Sequence, residues 1–303
     1  MKNELVVKDN ALINASYNLD LVEQRLILLA IVEARESKKG IDTNNALTVH
    51  ASSYINHFHV EKHTAYEMLK GACESLFSRQ FSYQFKNEHG NTEYVRSRWV
   101  SKISYVDHEA LVKLVFAPDV VPLVTRLEQH FTSYEIRQVS QLTSRYAVRL
   151  YELLIAWRSV GRTPVFEIKE FREQLGVEAN EYSRTEAFKR RVLEVAIEQI
   201  SELTDITVKY DQHKKGRSII GFSFILKQKK TKHLDKKDLA VNLSDKQILL
   251  FANKLAHDQD FASTYSKPGE SYEEFSIRLT TNLIEPKNVQ LYLPYLKKLG
   301  FQL

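Results

Sequence analysis

The sequence predicts an α+β protein in which one helix-and-hairpin unit occurs twice and is followed by a small helical region. Three observations lead to this prediction. An amphipathic helix and a basic hairpin follow each other within residues 183–217, the same order of periodic segments occurs upstream, and only helical periodicity remains after residue 243. Helical and alternating periods of apolar residues indicate amphipathic helices and half-buried strands, respectively.

Length and composition fit this organisation. A chain of 303 residues is long enough for two domains or three small ones, and 43% hydrophobic with 11% aromatic residues is typical of a globular protein. We predict a first domain over residues 1–130, a second over 131–230, and a basic linker with a helical tail over 231–303.

Compartment signals favour the cytoplasm. No segment approaches the ~18 unbroken apolar residues of a membrane span, and the first residues lack the apolar core of a signal peptide. The single cysteine, Cys73, excludes an intrachain disulfide and indicates a reducing compartment. We therefore expect a cytoplasmic protein without membrane contact, in which Cys73 packs within a helix.

In the first unit, Asp20 with Glu23, and Thr64 with Glu67, have the spacing of capping boxes at two helix starts. The periodicities predict, in order, an extended arm (4–17), a helix (21–35), a polar loop (37–45), a strand (47–49), a short helix (54–58), a helix (65–79), three strands (81–85, 94–105 and 111–116) and a connecting segment (119–142) that contains a helix (120–129).

In the second unit, the same order returns. We predict a helix (144–159), a strand (165–168), a short helix (171–175), a helix (183–203), a strand (205–210), a basic turn (211–217) and a strand (218–226). Arg25 matches Arg149 in this alignment of the halves, and the Leu-x-x-Leu pairs that follow them match as well. Two halves with the same element order are typical of an internal repeat.

The helix predicted over 183–203 has two different faces. Ser183 and Glu186 have the capping-box spacing, and an apolar face follows at helical period. The opposite face carries Arg184, Arg190, Arg191 and Glu194, and Lys189 lies at the margin between the two faces.

A hairpin with a basic tip follows this helix. Its turn contains Lys214, Lys215 and Arg217, and residues 184–237 hold 14 Lys and Arg against 7 Asp and Glu, a net charge of +7 in a chain of net charge +5. A helix with an arginine face and a basic hairpin form a winged helix, in which the helix enters a DNA major groove and the hairpin touches phosphates. The sequence therefore predicts tandem winged-helix domains, the second of which reads DNA.

The first domain is less basic at the matching positions. We expect auxiliary DNA contacts from five of its side chains, or alternatively a dimerisation surface. The auxiliary candidates are Lys62, Thr64, Lys70, Arg96 and Arg98.

The C-terminal region begins with a charge-dense linker at residues 227–238. Beyond it, Ser244 and Gln247 mark the start of a helix that reaches residue 257, and two further amphipathic helices are predicted over 272–282 and 289–299. This region contains no catalytic pattern, and its role is not predicted.

His57–Phe58–His59 is the one motif that points to an enzyme. A His-hydrophobic-His triplet is the metal-binding signature of rolling-circle nickases, which would use Tyr54 or Tyr66 as the nucleophile. Such histidines must share one face of a strand, whereas the spacing here is helical and would separate them by about 200°. No phosphate-binding loop or Cys-x-x-Cys pair occurs, so we predict no enzyme, no cofactor and no metal.

Four stretches together resemble a known family. They are residues 6–31, 131–158, 190–210 and 216–224, of which FTSYEIRQVSQLTSRYAVRLYELLIAWR (131–158) is the most specific. The chain resembles the iteron-binding replication initiators of theta-replicating bacterial plasmids (the RepE, Pi and RepB class, RepM-like), over roughly residues 4–228.

The resemblance implies a detailed function. Members of that family bind direct repeats (iterons) at a plasmid origin as monomers, open an adjacent AT-rich segment and recruit host replication proteins such as the helicase or its loader. As dimers, formed largely through the first winged helix, many bind an inverted repeat and repress their own gene. By motif position, Arg184, Arg190 and Arg191 fall on the second recognition helix of the family, and Lys214, Lys215 and Arg217 on its wing.

Two other functions stay open at this stage. A dedicated transcriptional repressor would use tandem winged helices equally well, and a nickase would cut DNA in a metal-dependent reaction. The partners expected under the main prediction are double-stranded DNA, a second copy of the chain and host replication proteins.

Overall fold

A computed structural model describes residues 4–36, 45–125, 130–229, 243, 245–267 and 270–301. The chain divides into two compact units, Met1–Lys229 and Lys230–Leu303. Most of the predicted polar loop (37–45), most of the basic linker and the predicted cap at Ser244 lie outside the described residues.

The N-terminal segment is more structured than the predicted extended arm. It forms β1 (Leu5–Asp9), α1 (Asn10–Asn14) and β2 (Ser16–Tyr17). The Asp9 side chain accepts a hydrogen bond from the Ala11 amide at 2.7 Å, which starts α1. A side-chain cap of this kind supplies a partner for an amide that would otherwise have none.

The first winged-helix domain contains three helices, two hairpins and one further short strand, β3. Its capping box is confirmed at Asp20 and Glu23, whose side chains each accept a hydrogen bond from the other's backbone amide. The elements are α2 (Leu21–Glu36), β3 (Leu47–His50), α3 (Ala51–Phe58), α4 (Lys62–Leu76), β4 (Gln80–Lys86), β5 (Thr92–Arg98), β6 (Val100–Val106) and β7 (Leu111–Phe116).

These strands form two separate sheets, with the orders β3-β7-β6 and β2-β4-β5. The single strand predicted over 94–105 is therefore wrong, because the chain changes sheets at Trp99. The Trp99 side chain is fully buried, its amide donates to the Arg79 carbonyl, and its own carbonyl accepts from Ala117. Trp99 and Val100 are adjacent and both fully buried, so the alternation is interrupted at this crossing, and the prediction of one continuous strand overlooks this break.

A short connection joins the domains. It contains α5 (Val121–Val124), β8 (Phe131–Glu135) and α6 (Arg137–Ser140). The helix predicted over 120–129 is present in its first turn as α5 and ends at Val124, because Thr125 is already extended, and residues 126–129 lie outside the described residues. β8 pairs antiparallel with β1, so the connection and the N-terminal segment form one ribbon.

The second winged-helix domain repeats the plan of the first. It consists of α7 (Arg145–Ile155), β9 (Phe166–Glu167), α8 (Ile168–Gln174), α9 (Thr185–Phe188), a π-helical turn (Lys189–Leu193), α10 (Glu194–Leu203), β10 (Ile206–Lys215) and β11 (Ser218–Gln228). The sheet order β10-β11-β9 corresponds to β6-β7-β3. The wing-equivalent hairpin of the first domain is therefore β6–β7, and β4–β5 is an additional hairpin.

Two predicted capping boxes are wrong. α4 begins at Lys62, because Glu61 is its cap and accepts from the Thr64 amide at 3.1 Å, so Thr64 and Glu67 form no capping box. α9 begins at Thr185, with Arg184 at the cap position and no side-chain cap. Ser183, the predicted cap, therefore lies one residue before the cap position.

The predicted basic turn is also shorter than expected. β10 continues to Lys215, with a register shift between His213 and Lys214, and the turn is reduced to Gly216 and Arg217. Gly216 has φ +62°, a conformation that favours glycine. Polar residues are tolerated on both faces of an exposed hairpin, so a run of polar residues does not define where a strand ends.

A buried ionic cluster joins the N-terminal segment to α7. The Glu152 carboxylate accepts from Lys8 Nζ at 2.6 Å and from Arg149 Nη1 at 2.7 Å, and the hydroxyls of Tyr17 and Tyr134 donate to it. Burial opposes the charge of Glu152, but the two cations and the hydrogen bonds lower the pKa of this carboxyl to about 2.

The C-terminal unit is helical, and its described part begins at residue 243. It contains α11 (Asp245–His257), α12 (Gln259–Tyr265), α13 (Tyr272–Ile284) and α14 (Pro286–Lys298). Phe261, Phe275 and Leu279 lie in its own apolar core. The predicted helices are present, with α13 two residues longer than expected at its C-terminal end and α14 beginning three residues earlier.

Candidate nucleic-acid interface

The recognition helix of the second domain combines α9, the π-helical turn and α10. Phe188, Val192 and Leu193 are fully buried on its inner side. Arg184, Arg190 and Arg191 are exposed on its outer side. The two neighbouring arginines lie within the π-helical turn, a distortion that occurs frequently at functional sites.

Two side chains of the recognition helix contact the strand that follows it. Lys189 Nζ donates to Gln212 Oε1 at 3.3 Å, and the Tyr210 hydroxyl donates to Glu194 Oε1 at 3.4 Å. Burial, together with the Glu194 charge, raises the pKa of Tyr210, which keeps this phenol protonated as a donor. Lys189 and Glu194 therefore hold β10 against the helix.

The wing places three more cations beside this helix. Lys214 and Lys215 end β10, Arg217 lies in the turn, and all three side chains are exposed. Together with Arg184, Arg190 and Arg191 they form a set that we call the cationic face. In the described part of the chain, none of the six takes part in an ion pair. Their charges are therefore available to an anionic partner such as a phosphate backbone.

The corresponding helix of the first domain, α4, has fewer available cations. Lys62 is exposed with its ammonium 5.8 Å from the centre of the Tyr66 ring, and Lys70 forms an exposed ion pair with Asp107 at 3.7 Å. The Thr64 hydroxyl donates to Glu61 at 3.4 Å.

The two predicted auxiliary arginines lie on β5, in the additional hairpin. Arg96 is exposed, whereas Arg98 donates to the Phe77 carbonyl at 2.9 Å. The tip of the wing-equivalent hairpin β6–β7 is instead the acidic turn Asp107–Glu109. The prediction joins β5 and β6 in one strand, so it does not distinguish the two hairpins of the first domain.

The histidines of the His-Phe-His motif do not share a face. His57 lies in α3, where its ring nitrogens contact Ser53 O at 2.7 Å and Glu4 Oε2 at 2.6 Å. His59 follows the helix at a positive φ of 52°. Among the residues that the structure describes, no group of three or more His, Cys, Asp or Glu side chains could hold a metal ion.

Within the described ranges, no helix is long and apolar enough to cross a membrane. Cys73 is buried in α4, as expected, and burial raises the pKa of its thiol to about 11. The thiol is therefore protonated near neutral pH and unreactive.

Comparison with known proteins agrees with this architecture. The family model described as "Initiator Replication protein, WH1" matches residues 5–155, and that described as "Initiator Rep protein, WH2" matches residues 167–226. An Escherichia coli "Replication initiation protein" is 23% identical over 261 residues, which cover 84% of this chain and 78% of that protein.

Two solved structures are also similar. A crystal structure of Pi initiator protein in complex with iteron DNA matches with a TM-score of 0.63 and 21% identity, over 76% of this chain and 99% of that one. The WH1 domain of MSBI1.176, a replication protein isolated from a multiple sclerosis patient, is 68% identical over 42% of this chain and 97% of that domain, with a TM-score of 0.35. On the two family models, which cover both winged-helix domains, the chain belongs to the family of initiator Rep proteins, as its sequence resemblance indicates.

Proposed function

We propose that this initiator binds direct repeats at a plasmid origin through the cationic face of its second winged helix. The observation that carries the proposal is the set of six exposed cations without ion-pair partners in the described chain, on a recognition helix and the wing beside it. A helix of this kind fits the width of the DNA major groove, while the wing reaches the adjacent backbone.

Within this site, the helix arginines supply sequence specificity. Arg190 or Arg191 makes a bidentate contact with O6 and N7 of a guanine, worth about 1–3 kcal/mol of discrimination. Glu194 accepts from a cytosine amino group with the carboxylate oxygen that Tyr210 leaves free. Lys189 and Arg184 flank these readers and contact the backbone.

The wing cations supply affinity without specificity. Lys214, Lys215 and Arg217 neutralise phosphates, which releases counterions and makes binding dependent on salt. In the first domain, Lys62, Thr64, Lys70, Arg96 and Arg98 make the weaker auxiliary contacts, or their surface serves in dimerisation.

The later steps of initiation follow from this binding. The bound protein opens an adjacent AT-rich segment and recruits a host helicase or its loader, and a dimeric form represses its own gene. The protein acts in the bacterial cytoplasm, by binding rather than by catalysis. The domain assignment behind this proposal is 1–130 for the first winged helix, 131–230 for the second and 231–303 for the linker and tail.

A binding assay with two single variants tests the central assignment. Arg190→Ala and Arg191→Ala should each be compared with the wild type on origin DNA and on random DNA. We expect at least one of them to lower the ratio of specific to random affinity by about 5- to 150-fold, which corresponds to the loss of ~1–3 kcal/mol of discrimination.

Arg158→Ala is the matched control. Arg158 is exposed in the turn that follows α7, and it lies outside the cationic face. If both recognition-helix variants keep the wild-type ratio, the specificity assignment is wrong.

A further inference from the structure

A second surface of the first compact unit has the opposite charge. A groove with a volume of about 880 Å³ lies between the additional hairpin β4–β5, the start of α1, and the β9–α8 segment of the second domain. Its carboxylates are Asp9, Glu167, Glu170 and Glu173, and no lysine or arginine is among the described residues that line it. None of the predicted DNA-contacting residues lines it either. We call this surface the acidic groove.

Aromatic rings line the same groove as these carboxylates. Tyr83, Trp157 and Phe166 are half-buried in the lining, and Tyr94 is 80% exposed at its edge. A cation placed over an aromatic face is attracted by the electrons of the ring, and a carboxylate beside the ring adds to this attraction. Carboxylates with aromatic rings therefore favour lysine and arginine side chains, and repel phosphates.

A buried glutamine holds one of these carboxylates in place. Gln174 lines the groove and is 4% exposed, and its Nε2 donates to Asn14 O at 3.3 Å and to Glu170 Oε1 at 3.4 Å. Because both of those partners are acceptors, the orientation of the amide is defined. Its Oε1 then has no hydrogen-bond partner among the described residues. This oxygen is enclosed by the protein, so Gln174 orients Glu170 in the wall of the groove and does not contact an occupant.

The four carboxylates of the groove can bind a cationic occupant, because their hydrogen-bond donors in the described chain are neutral. Glu167 accepts two amides of α8 at its own helix start, and Asp9 accepts one amide of α1. Glu170 accepts only the Gln174 amide, and in the described chain Glu173 takes part in no ion pair. Each of these contacts is to a neutral donor, so the four negative charges of the groove are not neutralised within it.

We propose that the acidic groove is the docking site for a lysine- or arginine-rich peptide segment of a partner protein. The charge of the groove selects a cationic occupant, and its rings bind the side-chain cations. Because both domains line the groove, a docked segment contacts both winged helices at once. The proposal concerns a protein partner and does not depend on which bases the second domain reads.

A peptide-binding experiment without DNA tests this proposal. Fluorescein-labelled octa-arginine is titrated with the full-length protein, and fluorescence anisotropy gives the dissociation constant. Glu170→Gln with Glu173→Gln should weaken binding by roughly fivefold or more, since two ion pairs are lost. Glu198→Gln with Glu202→Gln, an exposed pair of carboxylates on α10 with the same charge change, should leave it unaltered.

A second readout comes from tryptophan emission. The chain has two tryptophans, and Trp99 is fully buried while Trp157 lines the groove. Unlabelled octa-arginine should therefore change the emission of the wild type, and Trp157→Phe should abolish the change. Absence of binding, or an equal loss of affinity in both double variants, would overturn the proposal. A wild-type dimer that dissociates in Glu170→Gln with Glu173→Gln would also overturn it, since a second copy would then be the occupant.

Discussion

Glu152 is the residue on which the junction of the two domains depends most. Its carboxylate accepts hydrogen bonds from β1, β2, β8 and α7, with Lys8 and Arg149 as the two cations. The Arg149 guanidinium also donates to the carbonyls of Ile13 and Ala15 at 3.0 Å. The Glu152 carboxylate therefore offsets the buried charges of Lys8 and Arg149, and through Arg149 it fixes the backbone of the N-terminal segment.

We predict that Glu152→Gln is severely destabilising. The substitution leaves Lys8 and Arg149 buried without a negative partner, and breaking a buried pair in this way typically costs about 3–5 kcal/mol of unfolding free energy. Urea denaturation measures the loss. Asp107→Asn, which removes an exposed ion pair with Lys70, is the control and should cost about 0–1 kcal/mol. Equal stability of the two variants would contradict the role given to Glu152.

The same residue predicts a dependence of stability on pH. The pKa of Glu152 is about 2 in the folded chain, against an ordinary value of 4.5. Because the folded pKa is the lower one, the contribution of Glu152 is complete above pH 4.5 and is lost as the pH falls from 4.5 towards 2. The unfolding free energy of the wild type should therefore fall more steeply across this range than that of Glu152→Gln. Parallel curves would contradict this assignment.

For single residues, the sequence predicts the positions of exposed charged side chains better than those of buried ones. Arg190 and Arg191 lie where helical periodicity places them, because their neighbours Val192 and Leu193 must face the core. Glu152 looks like any other helix carboxylate in the sequence, and its structural role becomes visible only through partners from distant segments, such as Lys8, 144 residues away. Periodicity carries no information about such distant partners.

Among the secondary-structure elements, the wing is the one that we expect to determine how DNA binding depends on salt. Its long hairpin carries Lys214 and Lys215 on the last two positions of β10, and the turn beyond them has only two residues. This geometry places both lysines at the exposed end of the hairpin, next to the recognition helix that Lys189 and Glu194 hold against β10.

Replacing the wing lysines should weaken all DNA binding alike. For Lys214→Gln with Lys215→Gln, we expect similar losses of affinity for specific and random DNA. The slope of log affinity against log salt should shrink by up to about 2, roughly 0.9 per phosphate contact. Lys102→Gln with Lys113→Gln, two exposed lysines of β6 and β7, is the control. A loss confined to the specific DNA would show that the wing reads bases.

Element order is predicted well for both domains, and element ends are not. β3, α3 and the alternating strand β7 follow from short-range patterns alone. The start of α4 is missed because its cap is Glu61, which is not among the usual N-cap residue types. The β5–β6 boundary is missed although two adjacent buried residues, Trp99 and Val100, interrupt the alternation there. β8 is missed because its partner, β1, is distant in sequence.

For the whole molecule, the division after Lys229 separates the unit that carries the proposed DNA-contacting residues from the helical tail. Every residue of the cationic face and of the acidic groove belongs to the first unit, which has a hydrophobic core of its own. The tail has a separate core. The tail is therefore not required for the fold that carries the two surfaces.

We predict that a fragment of residues 1–229 keeps the specific-to-random affinity ratio of the full-length protein. Its absolute affinity for all DNA should be lower, because the lysines at positions 230–237 are removed and with them a non-specific attraction to phosphates. Filter binding to origin and random duplexes at one salt concentration measures both quantities. Loss of the ratio in a fragment that remains folded by circular dichroism would assign base reading to the tail.

The most direct test of the central claim is a footprint of the full-length protein on the DNA that flanks its own gene, at two salt concentrations. We predict evenly spaced protection over direct repeats, about one or two helical turns apart, that survives the higher salt. Protection of one inverted repeat alone would instead indicate a dedicated repressor. Absence of any sequence-specific footprint would contradict the assignment of the cationic face as a reader of DNA.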